Sequence, residues 1–417
     1  MKNYLIVGNG IAAAGCVEGI RSVDPDGAIT VVSEEKHHVY SRPLISYYLE
    51  GKTDLERMKY RGDSFYEENG CRVIFGVRAI AADPVLKQVT LEDGTALPYD
   101  ELCVAAGSRP FVPPFEGLEG IKNKFSFMTL DDALALEAAV KKDSRVLIVG
   151  AGLIGLKCAE GLRDRAGSIV VCDLADRILS SILDPDCAAA VQKHLENNGI
   201  EFMIGDTAVK FTADSRGGGG GSALMKSGRT VDFDVLVLAV GVRANSGLVK
   251  DMGGAVNRGA IVNTRMETTV PSVYAAGDCA EGYDSSLGAN RVLAILPNAY
   301  MQGHTAGVNM AGGSKELANS FPINSVGFFG LHIMTAGTYD GEMTEESRDG
   351  AVRRFFVKDG LLRGFILIGS TERAGIYTSL IREKTPLASV DFGLIKNSAS
   401  NLAFSRDERR KKFGGVV

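Results

Sequence analysis

Two stretches of this 417-residue chain are built to one design, and that duplication limits what the chain can fold into more than any other feature. Residues 4–7, Tyr-Leu-Ile-Val, read as a buried strand, and Gly8-Asn-Gly10-Ile-Ala-Ala13 then opens a helix of small residues running to about Ser22. The second copy has a strand at residues 145–149, the glycines Gly150, Gly152 and Gly155, and an expected helix over 156–166. Glycines at this spacing let the backbone turn tightly and approach a pyrophosphate, which then sits on the free N–H groups of the helix N-terminus.

Each copy continues into a second strand that ends on an acid. Residues 29–32 lead into Ser33-Glu34-Glu35, and residues 169–172 into Asp173. At that distance a carboxylate can accept hydrogen bonds from an adenosine ribose, and Glu34 and Asp173 are the candidates. Asp173 is followed by Leu174 and Ala175 with no adjacent base, which favours NADH over NADPH; Arg177 is the nearest cation. A strand-rich insert follows each unit. In the first, residues 71–75, 79–82 and 85–91, with the Asp93-Gly94 turn, are expected to form a meander returning through 101–105 into Ala106-Gly-Ser-Arg109-Pro110. In the second, residues 201–205, 208–212 and 222–226 do the same around a tip of five glycines, 217–221, and return through 234–239 into Val240-Gly241-Val-Arg-Ala244.

Length suggests about two to four domains. With 45% hydrophobic and 23% charged residues the chain reads as globular, and 46 Lys and Arg against 51 Asp and Glu leave a net charge of −5. That balance disfavours nucleic acid and anionic membrane surfaces as general partners. No apolar run approaches the roughly 18 residues that span a bilayer, and glycines at 8, 10 and 15 interrupt the one leader-like stretch, so a cytoplasmic location is expected. The seven cysteines have no CxxC spacing and read as reduced, buried thiols, and the five histidines form no metal set.

A further apolar run, residues 273–276, ends on Gly277-Asp278, where a carboxylate suits a ribityl or phosphate-bearing ligand. Taken in order, Gly8-x-Gly10-x-x-Ala13, Ala105-Ala-Gly-Ser-Arg-Pro110, Gly150-x-Gly152-x-x-Gly155 and Tyr274-Ala-Ala-Gly-Asp278 resemble the motifs of the FAD-dependent pyridine nucleotide-disulphide oxidoreductase superfamily. The resemblance covers nearly the whole chain. It implies an α/β fold with two Rossmann-like dinucleotide-binding domains, for FAD and NAD, as in glutathione reductase, plus a small α+β C-terminal domain. FAD would bind a discontinuous domain, residues 1–111 and 245–317, at Gly8, Gly10, Ala13, Glu34, Arg42, Ala106, Arg109, Asp278 and Asn298. NADH would bind the inserted domain, 112–244, at Gly150, Gly152, Gly155, Asp173 and Gly241. Residues 296–303 look like the start of the helix that meets the flavin pyrimidine. Residues 318–417 would be the third domain, with sheet strands at 353–357 and 361–368, a helix at 374–381 and a mixed-charge tail at 406–412. In the superfamily this region often makes a homodimer interface.

Disulphide reductases of the superfamily keep two cysteines beside the flavin, and single-thiol relatives keep one. Here residues 39–49 contain none, and Pro43 takes the position of the single thiol. The Tyr40-Ser-Arg42-Pro43 run is instead similar to NADH:rubredoxin reductases, ferredoxin reductases of oxygenase systems and the flavin domain of NADH-dependent nitrite reductase, which pass electrons outward. Two positions depart from those relatives: Tyr47 stands where a lysine is usual and Lys157 where a glutamate is. Arg42, Tyr47 and Lys157 are therefore the candidates for catalysis, with Tyr40 helping Arg42 to shape the flavin edge. The expected function is transfer of electrons from NADH through flavin to a rubredoxin or a ferredoxin-like iron–sulphur protein. An NADH oxidase using dioxygen and an NADH-responsive signalling flavoprotein are the alternatives.

Overall fold

The computed structural model describes residues 1–214, 218–348, 350–398 and 403–405, so Gly217 of the glycine tip and the tail at 406–412 lie outside the described residues. Two five-stranded parallel sheets organise it. In the first the strand order is Cys71–Phe75, Ala28–Ser33, Asn3–Val7, Glu101–Val104, Val273–Ala275. In the second it is Glu201–Ile204, Ser168–Asp173, Arg145–Val149, Val235–Leu238, Lys124–Phe125. The orders match, with one exchange in the chain. The last strand of the first sheet comes after the whole second sheet, whereas its counterpart, Lys124–Phe125, comes before the other four. The chain thus leaves the first unit, builds the second and returns.

The apolar core of the first sheet draws on residues between Tyr4 and Ala105 and between Val249 and Leu317, so both stretches share one interior. On this sharing we propose the division at 111/112, 244/245 and 317/318. The helix Leu44–Leu49 packs elsewhere: Ile45 and Leu49 join a core with the second sheet and with Phe328, Ile333 and Ile366 of the C-terminal sheet. That sheet is antiparallel, in the order Ile323–Phe328, Leu331–Gly337, Leu361–Ile368, Ala351–Lys358, Glu342–Arg348, with the helix Ala374–Arg382 against it. No helix among the described residues is long and apolar enough to cross a membrane.

Three expectations are corrected. Cys71–Phe75 and Glu201–Ile204 do not begin the meanders but are the outer strands of the parallel sheets. Each pairs with a strand roughly 30 to 40 residues upstream, and strand chemistry alone does not reveal such a partner. The meanders are Ala79–Asp83, Gln88–Leu91, Ala96–Pro98 and Ala208–Ala213, Gly221–Met225, Thr230–Phe233, each with a short third strand that the sequence reading missed. The second fingerprint helix is Leu153–Leu162, starting directly after Gly152.

The first fingerprint helix, Ile11–Arg21, lies against the helix Leu296–Met310 through glycines on both sides. A Cβ on Gly15 or Gly19 would collide with the carbonyl oxygens of Tyr300 and His304, and one on Gly303 or Gly307 with those of Ala12 and Cys16. Backbone therefore rests on backbone, which fixes where Leu296–Met310 begins. Gly303→Ala should destabilise the protein by about 1–3 kcal/mol through overpacking, measured by denaturant unfolding; a midpoint equal to wild type would mean that the helices separate freely.

Candidate functional site

The first glycine loop makes a cradle because its backbone passes too close to a neighbour for any side chain. Gly8 has φ 111°, and a Cβ there would strike the Ala105 carbonyl oxygen. Gly10, two residues on, has open space around it and caps the helix with extended backbone and no side-chain bond. The first-turn N–H groups and the positive end of the dipole are thus left for a ligand. A cavity of about 570 Å³ opens here. Of the sequence candidates, Gly8, Gly10, Glu34, Arg42, Ala106 and Arg109 line it, while Ala13 is buried on the core face of the helix.

The two adjacent acids have different surroundings. Glu34 is an exposed carboxylate on the cavity wall. Glu35, which the sequence reading passed over, is the hub of a polar network: it accepts a hydrogen bond from Tyr40 Oη at 2.7 Å and pairs with Arg42 Nη2. Tyr40 Oη in turn accepts the Leu130 N–H at 2.9 Å, and Arg42 Nη1 donates to the Met128 carbonyl at 2.9 Å. Burial pushes the Tyr40 hydroxyl well above its ordinary pKa, so it remains a donor. His37 Nε2 meets Asp131 Oδ1 at 2.8 Å across the same seam. Met128, Thr129 and Asp131, all from beyond residue 111, therefore form part of the first cavity's wall. Nothing in the sequence signalled this, since the contacts span about ninety positions.

Asp278 sits at the end of the strand Val273–Ala275, at a turn made by Gly277 with φ 78° and held by the Gly277 N–H donating to Gln302 Oε1 at 2.8 Å. Ser108 Oγ donates to Asp278 Oδ2 at 3.0 Å. Burial raises the Asp278 carboxyl above its ordinary value, against the pull of Ser108 and the Arg42 charge. Asn298 is 1% exposed, donates to the Leu293 carbonyl at 3.1 Å and leaves its Oδ1 without a hydrogen-bond partner among the described residues. A buried acceptor with no donor is costly, and it lies in the first turn of a helix with no side-chain cap. The cradle and the three arginines on the cavity wall, Arg42, Arg78 and Arg109, together with the half-buried carboxylate and this orphaned acceptor, which are not themselves on that wall, fit a phosphate-bearing, polyhydroxylated and N–H-bearing group such as FAD.

The second cradle repeats the first. Gly150 has φ 117° and would strike the Ala239 carbonyl oxygen if it had a Cβ; Gly152 is open; and a Cβ on Gly155 would strike the Gly150 carbonyl oxygen. Asp173 also shapes the loop, accepting the Ala151 N–H at 2.7 Å and the Ala175 N–H at 2.8 Å. Gly241, φ 115°, is open in the same way as Gly107, φ 64°, in the first unit. Arg177 turns onto its own loop, donating to Asp176 Oδ1 at 2.7 Å and to the Leu183 carbonyl at 3.2 Å.

Tyr47 and Lys157 are brought together, but not on the cavity wall. Lys157 Nζ lies 4.5 Å from the Tyr47 ring centroid, pairs with Glu160, stands 3.7 Å from Glu50 Oε1 and donates to the Gly327 carbonyl at 3.2 Å. Glu160 Oε1 accepts the Phe329 N–H at 2.6 Å. Lys157 is thus neither a solvated helix face nor an uncompensated charge. Cys279, next to Asp278, is fully buried, donates to the Val104 and Ala276 carbonyls, and burial pushes its thiol up to about 12.

A family model described as pyridine nucleotide-disulphide oxidoreductase matches residues 2–303. The NADH-dependent phenylglyoxylate dehydrogenase subunit epsilon of Aromatoleum evansii is 30% identical over 406 residues, covering 94% of each chain. The nitrite reductase [NAD(P)H] of Bacillus subtilis (strain 168) is 29% identical over 395 residues; these cover 93% of this chain and 48% of that one, so the chain spans about half of that relative. Among solved structures, the covalent putidaredoxin reductase–putidaredoxin complex superposes with a TM-score of 0.86 at 22% identity, covering 96% of this chain and 97% of that chain. That likeness concerns the fold.

The raised Asp278 pKa carries a sign. The folded state favours the protonated carboxyl, so the ligand-free protein loses stability as pH rises from the ordinary carboxylate range through the raised value. Asp278→Asn removes the penalised charge at similar size. The ligand-free variant should melt higher than wild type at neutral pH, with the difference closing below about pH 4; equal melting at neutral pH would show that the ionised carboxylate is not a cost.

Proposed function

Since the chain belongs to the pyridine nucleotide-disulphide oxidoreductase family and is an FAD-dependent NAD(P)H oxidoreductase, we propose that it takes electrons from NADH and delivers them to a small redox protein, a rubredoxin or a ferredoxin-like iron–sulphur protein. The observation that carries this reading is the chemistry of the Tyr40-Ser-Arg-Pro43 segment. It puts a guanidinium on the cavity wall and no sulphur, while Cys279, beside Asp278, is buried with a raised pKa. Without a thiolate to receive electrons inside the site, an external acceptor must take them. Relatives whose names specify NADH or NAD(P)H, one of them as a subunit of a larger enzyme, support the donor and the idea of a protein acceptor.

Bound FAD supplies the redox chemistry, taking two electrons from NADH and able to release them one at a time. The chain's part is binding, orientation and charge. Gly8, Gly10 and the helix behind them hold the pyrophosphate, with Ala13 letting that helix sit close to the core and Ala106 keeping the opposite wall low. Glu34 accepts from the adenosine ribose, Arg109 and Arg42 balance the phosphates, and Asp278 accepts from the ribityl chain. Asn298 Oδ1 and the N-terminus of Leu296–Met310 would hold the pyrimidine end, and the free N–H groups there would favour negative charge on the bound group. Gly150, Gly152, Gly155, Asp173 and Gly241 hold NADH, and the engagement of Arg177 with its own loop leaves it poorly placed to take a 2′-phosphate. Lys157, with Tyr47 beneath it, orients the nicotinamide side. Its charge is largely balanced by Glu160 and Glu50, so its contribution is positional more than electrostatic.

Anaerobic stopped-flow mixing with NADH tests the reading. Fast bleaching of the yellow protein followed by fast reoxidation by rubredoxin or ferredoxin supports it; fast reoxidation by dissolved oxygen alone would replace it with an NADH oxidase. Slow bleaching with slow turnover by every acceptor would favour a signalling role. Lys157→Ala should slow bleaching on the order of tenfold, about 1.4 kcal/mol of barrier, and an unchanged rate would remove Lys157 from the site.

A further inference from the structure

The strands Ser108–Pro110 and Val242–Ala244 join the two nucleotide units as an antiparallel ribbon, with Arg109 directly opposite Arg243. Directly opposed residues share a face of the ribbon, and like charges in that arrangement repel. Both arginines are exposed, and the contacts of their guanidinium groups among the described residues are with a side-chain amide and a ring and not with a carboxylate. Arg109 donates to Asn245 Oδ1 at 3.1 Å, and Arg243 lies over the Phe111 ring at 4.5 Å, which fixes its plane. An anion seated beside the pair would relieve the repulsion.

The internal repeat identifies the anion. Gly8 packs on the Ala105 carbonyl as Gly150 packs on the Ala239 carbonyl, and Gly107 and Gly241, two residues past those carbonyls, both have positive φ and open space. Two residues further, Arg109 and Arg243 occupy the same position of the repeat, and Arg109 is on the wall of the first cavity. Their direct opposition puts both on one face of the ribbon, each at the same step along the chain from the carbonyl that packs on its own cradle's glycine. We propose that Arg243 binds the pyrophosphate of NADH in the second cradle, as a planar donor suited to phosphate oxygens. The inference rests on the reading that this cradle takes NADH.

The test uses the FAD-loaded protein and two probes. ADP-ribose carries the same pyrophosphate but cannot transfer electrons, so titration calorimetry reads binding alone; NADH then reads KM and the limiting rate. Arg243→Gln should bind ADP-ribose roughly tenfold more weakly and raise the NADH KM by a similar factor. Its limiting rate of flavin bleaching and its FAD content should be unchanged, and the salt dependence of binding should be shallower. Arg243→Lys, which keeps the charge, should retain part of the affinity. Wild-type affinity for ADP-ribose in Arg243→Gln overturns the assignment, as does loss of FAD with ADP-ribose binding intact, which would assign the guanidinium to the first site. If the wild-type protein binds neither probe, the NADH reading of the second cradle fails as well; if it binds both and the variant is unaffected, only the role of Arg243 fails.

Discussion

Two points where backbone touches backbone set the rest of this structure. At Gly8 against Ala105, and again at Gly150 against Ala239, the loop leaving the first strand of a sheet passes so close to the end of a neighbouring strand that no side chain fits. That proximity turns the chain straight into a helix whose first N–H groups face open space, and it sets the carboxyl ends of both sheets as concave, ligand-ready edges. The glycine contact between Ile11–Arg21 and Leu296–Met310 extends the same principle across the unit. Because these helices touch through backbone, the start of the second, with Asn298 in its first turn, is placed by the position of the first.

Charge does the joining that backbone contact does not. Glu35, Tyr40 and Arg42 reach over to Met128 and Leu130, and His37 to Asp131, so the first cavity is closed by residues that belong, by sequence, to the following unit. A second cluster binds three parts of the molecule. Lys157 and Glu160, on the second fingerprint helix, take the backbone of Gly327 and Phe329 from the C-terminal sheet, His194 meets the Phe328 carbonyl at 3.0 Å, and Glu50, just after the helix Leu44–Leu49, lies close by. Phe329 has φ 46° and Gly330 φ 85°, so the turn being held is a tight one. Buried ion pairs add little net stability but leave an uncompensated charge if one partner is lost, which makes such a cluster a device for fixing orientation.

The chemistry follows from this architecture and from one omission. The family is named for disulphides, yet residues 39–49 carry no thiol, six of the seven cysteines are buried, and the seventh, Cys71, is half-buried with its thiol pushed up to about 11. What the backbone leaves open instead are the two cradles, with Arg109 on the wall of the first.

Much of this was legible in the sequence, because the features concerned leave a mark in the local spacing of residues. Gly8 and Gly150 are dictated by a backbone path that other residues cannot follow, Gly10 and Gly152 leave open the space a ligand would take, and an apolar strand ending on Gly277-Asp278 reads as the same edge of the sheet. Where the reading failed, the deciding contact was distant. Cys71–Phe75 and Glu201–Ile204 have the chemistry of any strand, and only pairing with Ala28–Ser33 and Ser168–Asp173 makes them members of the parallel sheets. Glu34 and Glu35 are indistinguishable as letters; packing against Tyr40 and Arg42 draws one into a network and leaves the other on the cavity wall. Lys157 and Glu160 share a helix face by spacing alone, but their hold on the backbone of Gly327 and Phe329 exists only once the C-terminal sheet has docked. What the sequence settled was the two cradles, since only glycine fits where the Ala105 and Ala239 carbonyls close in, and the glycine spacing therefore records that distant contact. The tertiary structure alone decided which charges meet, since electrostatic partners are chosen by proximity in space.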